Sequence, residues 1–167
     1  MPIARNEIRS TDMTTSMTVP SDREILITRE LAAPRRLVFE AWTRPEHVAR
    51  WWGPRGYTLE VCEIDLRPGG AWRFVQRAPD GSEYGFRGEY REIVPPERLA
   101  YTFEFDGMPG HVSLETITLE ERDGRTMVTN RVLFDSVEDR DGMLASGMEQ
   151  GMRETLDRLA ELLATMA

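Results

Sequence analysis

The spacing of apolar residues changes along the chain, from alternation to helical spacing and back. Apolar and polar residues alternate over residues 23–31, which predicts a first β-strand. Pro34 then opens a short helix whose apolar residues recur at helical spacing, namely Leu37, Val38, Ala41 and Trp42. A second proline, Pro45, opens another short apolar series that ends at Gly53 and Pro54. The pattern therefore predicts a strand followed by two short helices.

Residues 57–134 return to alternation, interrupted by short segments rich in glycine, proline and aspartate. These segments divide the region into six predicted strands of roughly seven to ten residues. Connections this short leave no room for crossover helices, so we expect neighbouring strands to pair antiparallel in chain order. The first strand alone is free to join the sheet elsewhere. Gly85 and Gly88 predict a bend that curls the sheet.

One face of the predicted sheet is aromatic. Alternation places rings from three strands on this face and charged residues on the other. The rings belong to Trp72, Phe74, Tyr84, Phe86, Tyr90, Tyr101, Phe103 and Phe105. A cover for this face is expected at the C-terminus, where an apolar stripe predicts one helix over residues 142–165, roughly 36 Å long. Ser136, three residues before Asp139, has the spacing of a helix N-cap.

These elements predict an α+β protein with the helix-grip arrangement. In it a curled antiparallel sheet, two short helices and one long C-terminal helix enclose a cavity. At 167 residues the chain is long enough for one such domain without disulfides or metal. We assign residues 23–167 to that domain. Residues 1–22 lack a continuous apolar segment and are expected to form a disordered or loosely docked tail.

Composition excludes several functional classes. The net charge of −8 argues against a nucleic-acid partner, because binding the phosphate backbone requires clustered positive charge. All 21 basic residues are arginine, which removes lysine-based chemistry. Cys62 is the single cysteine, so a disulfide within the chain or a structural zinc site cannot form, and we expect an inert, buried thiol. No apolar run could span a membrane, and a cytoplasmic location is expected.

Several segments resemble a known family. They are residues 33–34, 38–43, 45–47, 51–54, 65–74, 88–90, 92–93, 96–99 and 147–152. With these segments the sequence resembles the SRPBCC, or START-like, superfamily over roughly residues 23–165. Within it the sequence is similar to the group named after the activator of heat-shock-protein-90 ATPase. The resemblance implies a START/Bet v 1-like fold around a deep apolar cavity, whose occupants differ between branches: lipids, polyketides, hormones or partner proteins.

The aromatic face and the C-terminal helix together suggest a ligand cavity. Its predicted lining residues are Trp72, Phe74, Tyr84, Phe86, Tyr101, Phe103, Met148 and Met152. Methionines facing aromatic rings would form a wall that adapts to ligands of varied shape. The alternative is an ordinary filled core. Gly147 and Gly151, one turn apart within the predicted helix, would either let the helix approach the sheet closely or leave a thin wall beside a ligand.

Polar residues inside the cavity are the catalytic candidates. Glu115, Arg131 and Gln76 interrupt otherwise apolar surroundings. A pair of Arg131 with Glu115 on neighbouring strands could orient a carboxylate or enolate. The alternative is a solvated cross-strand ion pair. His47 and His111 lack metal-ligand spacing, so no metal site and no cofactor are expected.

The leading functional hypothesis is the binding of a small hydrophobic molecule, lipid or polyketide-like, between the sheet and the C-terminal helix. One alternative is a cyclase or hydratase-type enzyme acting in the same cavity. A second is a chaperone-linked protein-interaction module. A homodimer is an open alternative for the assembly, since related domains often pair.

Overall fold

A computed structural model describes residues 15–166 of the chain. In this part, eight strands form one sheet accompanied by four helices. The strands are β1 (Ser16–Thr18), β2 (Glu24–Leu31), β3 (Thr58–Ile64), β4 (Ala71–Arg77), β5 (Glu83–Val94), β6 (Arg98–Phe105), β7 (Val112–Arg122) and β8 (Arg125–Leu133). The helices are α1 (Arg35–Thr43), α2 (Pro45–Trp51), α3 (Val137–Ala145) and α4 (Met148–Met166). The α+β helix-grip prediction is confirmed.

The sheet is curled and antiparallel throughout, in the order β1-β2-β8-β7-β6-β5-β4-β3. Strands β3 to β8 form the six-strand meander that the turn segments predict. The predicted first strand, β2, does join the sheet elsewhere, because it pairs with β8 rather than with β3. Two edges remain, β1 and β3, so the sheet does not close into a barrel.

Part of the expected N-terminal tail is ordered. Ser16–Thr18 forms β1, which pairs with β2 at the sheet edge. Residues 1–14 of the expected tail lie outside the described residues, so the interpretation of that segment stays a prediction. Among the described helices, none combines the length and hydrophobicity that crossing a bilayer requires.

The predicted long C-terminal helix is confirmed, but its predicted start at residue 142 is wrong, because the long helix α4 begins at Met148. Two helices occupy this region, and the break between them lies at Ser146 and Gly147. Gly147 has φ +79°, a left-handed conformation that a right-handed helix cannot contain and that favours glycine. The expectation that Gly147 sits inside a helix is therefore also wrong. Ser136 is an N-cap as predicted, since its hydroxyl oxygen accepts from the Asp139 amide at 3.1 Å, but it caps the short helix α3.

The two C-terminal helices differ in how firmly they are packed. Helix α4 buries four leucines, Leu156, Leu159, Leu162 and Leu163. It packs against α1 and α2, so its C-terminal half fills the core. Helix α3 has no buried residue. The core is therefore dense at one end of the molecule, whereas the first turns of α4 and all of α3 cover the other end of the sheet.

Gly88 allows an unusual crossing on the inner face of the sheet. The Trp72 indole of β4 extends across β5 at Gly88, and its Nε1 donates to the Thr102 carbonyl oxygen of β6 at 3.1 Å. A Cβ atom at Gly88 would overlap both the indole and that carbonyl oxygen. The glycine thus has a packing reason, close approach of a ring to the backbone, in addition to the bend that the sequence predicts.

Candidate ligand-binding cavity

A cavity of about 660 Å³ lies between the inner face of the sheet and the first turns of α4. This volume is in the range of small-molecule sites, roughly 300–1,000 Å³. The cavity is lined by all eight residues that the sequence predicts, Trp72, Phe74, Tyr84, Phe86, Tyr101, Phe103, Met148 and Met152. The filled-core alternative is therefore wrong for this end of the molecule. A ligand-binding role for these residues stays a prediction.

Ring contacts hold the wall of the cavity in place. Trp52 meets Phe74 and Phe86 edge to face, with ring centroids 5.1 Å apart in both cases. The Trp72 ring lies 4.7 Å from that of Phe74 and is also fixed by its bond to Thr102. Such aromatic pairs favour these offset and perpendicular arrangements. The wall is therefore largely formed before any ligand arrives.

Trp52 is a lining residue that the sequence-based prediction missed. The adjacent Trp51 also lines the cavity, but it is only 2 % exposed, and its indole donates to the Ala41 carbonyl at 2.8 Å. Helix α2 ends at Trp51, and Trp52 has an extended backbone that turns its ring towards the cavity. The sequence offers one signal for this difference: Gly53 and Pro54 follow directly and predict that the helix ends close to the two tryptophans.

A cluster of polar side chains lies on the inner face of β6, β7 and β8. The Tyr101 hydroxyl donates to Glu115 Oε1 at 3.1 Å, and Asn130 Nδ2 donates to the same oxygen at 3.3 Å. Tyr101 lies directly opposite Glu115 in the β6–β7 register. Burial raises the pKa of the Glu115 carboxyl, although the bonds from Asn130 and Tyr101 oppose this shift. Burial, followed by the nearby Glu115, raises the pKa of Tyr101.

The expected pair of Arg131 with Glu115 is wrong. Arg131 lies on the outer face of β8, where its guanidinium donates to Glu24 Oε2 at 2.9 Å. Side chains alternate along a strand, so Asn130 points inward and Arg131 outward. Asn130, one residue away, is therefore the partner of Glu115 that the sequence-based prediction missed. A catalytic role for Glu115 stays a prediction, whereas Arg131 does not line the cavity.

Two amide oxygens in the lining have no hydrogen-bond partner among residues 15–166. Gln76 and Asn130 are 8 % and 6 % exposed, and both line the cavity, which confirms the inward position expected for Gln76. Gln76 Oε1 and Asn130 Oδ1 are buried without a partner. An unpaired buried polar atom destabilises the fold. A hydrogen bond from a ligand or an ordered water in the cavity would remove this cost.

The mouth of the cavity lies between α3 and the β6–β7 loop. His111 lines it, half exposed, and its Nδ1 is 2.8 Å from Asp139 Oδ1. Met108 in the same loop is 49 % exposed and also lines the cavity. The other histidine, His47, does not line the cavity. The described residues contain no group of three or more His, Cys, Asp or Glu side chains arranged to hold a metal ion.

Cys62 lies outside the cavity lining, on the edge strand β3. Burial, with a smaller effect of Glu46, raises the pKa of its thiol to about 11. The Sγ atom lies 3.6 Å from the Pro45 carbonyl oxygen, to which it donates. A thiol with this pKa is protonated at neutral pH and is therefore a poor nucleophile.

Several solved structures of bacterial proteins are similar to this chain. A crystal structure from Rhodobacter sphaeroides is 27 % identical, with TM-score 0.84, and the match covers 90 % of this chain and 99 % of that one. A crystal structure from Chromobacterium violaceum is 31 % identical, with TM-score 0.73, covering 83 % and 96 %. The AHSA1 protein from Silicibacter pomeroyi, 23 % identical with TM-score 0.70, covers 86 % and 99 % and shows the fold alone.

A search of curated proteins found no match. The family model described as "Activator of Hsp90 ATPase homolog 1-like protein" matches residues 32–164. This match runs from the end of β2 almost to the end of α4, and it thus includes every strand that lines the cavity except β2. The chain belongs to the family of Activator of Hsp90 ATPase homolog 1-like proteins.

Proposed function

We propose that this protein binds a small, largely apolar molecule in the cavity between the sheet and α4. The observation that carries the proposal is a space of about 660 Å³ whose lining is rich in aromatic rings and methionines. An empty apolar cavity of this size is destabilising, because the side chains around it lose packing contacts. A ligand that restores those contacts is therefore bound favourably.

The wall combines fixed and adaptable parts. The rings of Trp52, Trp72 and Phe74 contact one another in a chain, which keeps this side of the cavity rigid. Met148 and Met152 lie on the opposite side, on α4, and both are only partly buried. Unbranched methionine side chains change rotamer easily, so this side can adjust to the outline of a ligand. We therefore expect flat, ring-containing ligands to be preferred.

Binding is tested with an uncharged fluorescent dye, Nile red, and by thermal unfolding with a panel of apolar and aromatic compounds. A ligand present at 100 times its dissociation constant stabilises the folded state by about 2.7 kcal/mol. For a domain of this size we expect Tm to rise by roughly 5 to 10 °C. Dye fluorescence should increase on binding, and each stabilising compound should displace the dye.

A cavity-filling variant locates the site. We expect Met148→Trp combined with Met152→Trp to weaken dye binding at least tenfold, because the two indoles occupy the ligand's space. Ala164→Trp is the matched control, since Ala164 is exposed on the same helix and does not line the cavity. The absence of dye binding and of any Tm increase in the unmodified protein would contradict the proposal. Unchanged dye affinity in a folded double variant would do so as well.

A further inference from the structure

We infer that the cavity selects apolar ligands that carry a hydrogen-bond donor, above all a protonated amine, and rejects ligands that carry a carboxylate. This inference rests on the proposed function and specifies the ligand class. The donor group is assigned to the space beside Glu115 and Asn130, and the apolar part of the ligand to the ring-lined wall.

The charged residues of the lining are almost all acidic. Glu115 lies inside the cavity, and Glu138 and Asp139 lie at its mouth on α3. The chain contains arginine but no lysine, and among residues 15–166 no arginine lines the cavity. His111 is the remaining titratable base in the lining, and its contact with Asp139 balances its charge when it is protonated. The electrostatic potential inside the cavity therefore favours cations over anions.

The unpaired atoms of the polar cluster are hydrogen-bond acceptors. Asn130 Nδ2 donates to the Glu115 carboxyl, and this bond fixes the amide orientation, which leaves Oδ1 as the free atom. Asn130 is 6 % exposed, so bulk water does not satisfy this oxygen. Tyr101 also directs its hydroxyl proton to Glu115. Tyr101 and Asn130 thus direct these donors to Glu115, and the hydrogen for Asn130 Oδ1 comes from a ligand or from an ordered water that a ligand donor can replace.

A cation would also compensate for the poor solvation of the carboxyl group. Glu115 is partly buried, and it lines the cavity. Burial raises the pKa of its carboxyl, because the charged form is less well solvated there than in water. An ammonium group beside it provides a charge-assisted hydrogen bond in a medium of low dielectric constant. A ligand carboxylate in the same place would repel it.

Three ligands of one ring size test the inference: 1-naphthylmethylamine, 1-methylnaphthalene and 1-naphthoate, each measured by displacement of Nile red. We expect the amine to bind at least tenfold more tightly than the hydrocarbon, and the carboxylate more weakly than either. In Glu115→Gln the affinity for the amine should fall about tenfold or more. The affinity for the hydrocarbon should stay within about twofold, since Gln keeps the size of the side chain and an acceptor for Tyr101 and Asn130.

Glu120→Gln is the matched control, because Glu120 is exposed on the same strand and its substitution changes the net charge equally. It should leave all three affinities unchanged. Equal affinity for the three ligands, or tighter binding of the carboxylate, would overturn the inference while leaving the proposed function intact. An amine preference that persists in Glu115→Gln would overturn the assignment to Glu115. Failure of the dye and of all three ligands to bind would overturn the inference together with the proposed function.

Discussion

Glu115 combines a buried position with neighbours that donate hydrogen bonds to it, and its inward direction is set by strand alternation alone. The sequence identifies Glu115 and Gln76 as polar residues in apolar surroundings, and both line the cavity. The same reasoning fails at Arg131, because a shift of one residue reverses the face of the sheet. Asn130 is the true inward residue, and it is less conspicuous in the sequence because it carries no charge.

We expect Glu115→Gln to change how stability depends on pH. The folded state raises the pKa of Glu115 above its ordinary 4.5, so the fold favours the neutral carboxyl. This contribution to stability is fully present below the unfolded-state pKa and is lost as pH rises through the folded-state value. The free energy of unfolding of the original protein minus that of the variant should therefore decrease with rising pH. Urea unfolding between about pH 4 and pH 8 measures this difference.

Glu120→Gln serves as the reference for that experiment, because its carboxyl is exposed on the outer face of the same strand. The pH dependence of Glu115→Gln is compared with that of this variant. A difference for Glu115→Gln that is flat, or that increases with pH, would show that the folded protein does not favour the neutral form.

Among the elements, the strands follow their sequence pattern more closely than the C-terminal helices do. Each predicted strand is present, because alternation and short turns act locally. The apolar stripe of the C-terminal region, in contrast, continues across the break at Ser146 and Gly147. Such a stripe indicates which face of a helix is apolar, but it does not indicate that Gly147 adopts φ +79°. The presence of glycine permits this conformation without requiring it.

Gly88→Ala should destabilise the sheet by about 1 to 3 kcal/mol, as overpacking in a core does. The added methyl group would displace the Trp72 indole from Thr102. Gly142→Ala is the matched comparison, because no atom lies within 4 Å of the position that its Cβ would take in α3. In a helix this change should stabilise by about 0.5 to 1 kcal/mol. Urea unfolding measures both. Similar effects in the two variants would contradict the packing role of Gly88.

Arg29 joins α4 to the sheet through an ion pair that is buried on the arginine side only. Its guanidinium donates to Asp157 at 2.6 Å, and the side chain of Arg29 is only 6 % exposed. Within the part of the chain that the structure describes, Arg29 Nε has no partner, so the bonds of the other guanidinium nitrogen to Thr15 and Asp157 matter more. We expect Asp157→Asn to destabilise the protein by about 1 to 3 kcal/mol, because a buried charge loses its partner. Chemical denaturation measures the change.

Glu161→Gln is the comparison for Asp157→Asn, since Glu161 on the same helix pairs with Arg55 in an exposed position. We expect little change in stability, because solvent and salt screen exposed pairs. An equally small effect for Asp157→Asn would mean that the pair with Arg29 does not stabilise the position of α4.

At the scale of the whole molecule, the strongly packed core and the cavity occupy different ends of one sheet. Leucines of α4 fill the space over α1 and α2. Towards α3, which buries no residue, the side chains over the same sheet face do not fill the space beneath the helices. Proteins of this family share the architecture. Which molecule occupies the cavity depends on the side chains that line it in this chain. The chaperone-linked role stays a prediction, tested by capture of a purified chaperone.

The order of the six meander strands β3 to β8, their antiparallel pairing and the aromatic inner face were determined by the sequence alone, whereas the places of β1 and β2 were not. Periodicity and turn residues act over a few positions, so they can be read without knowing what lies elsewhere in the fold. Only the tertiary structure decided that Asn130 meets Glu115, that Trp52 faces the cavity and that the C-terminal helix breaks at Gly147. Each of these depends on residues distant in sequence or on one backbone angle. Each also depends on how the side chains pack together, and that packing leaves a space of about 660 Å³ unfilled.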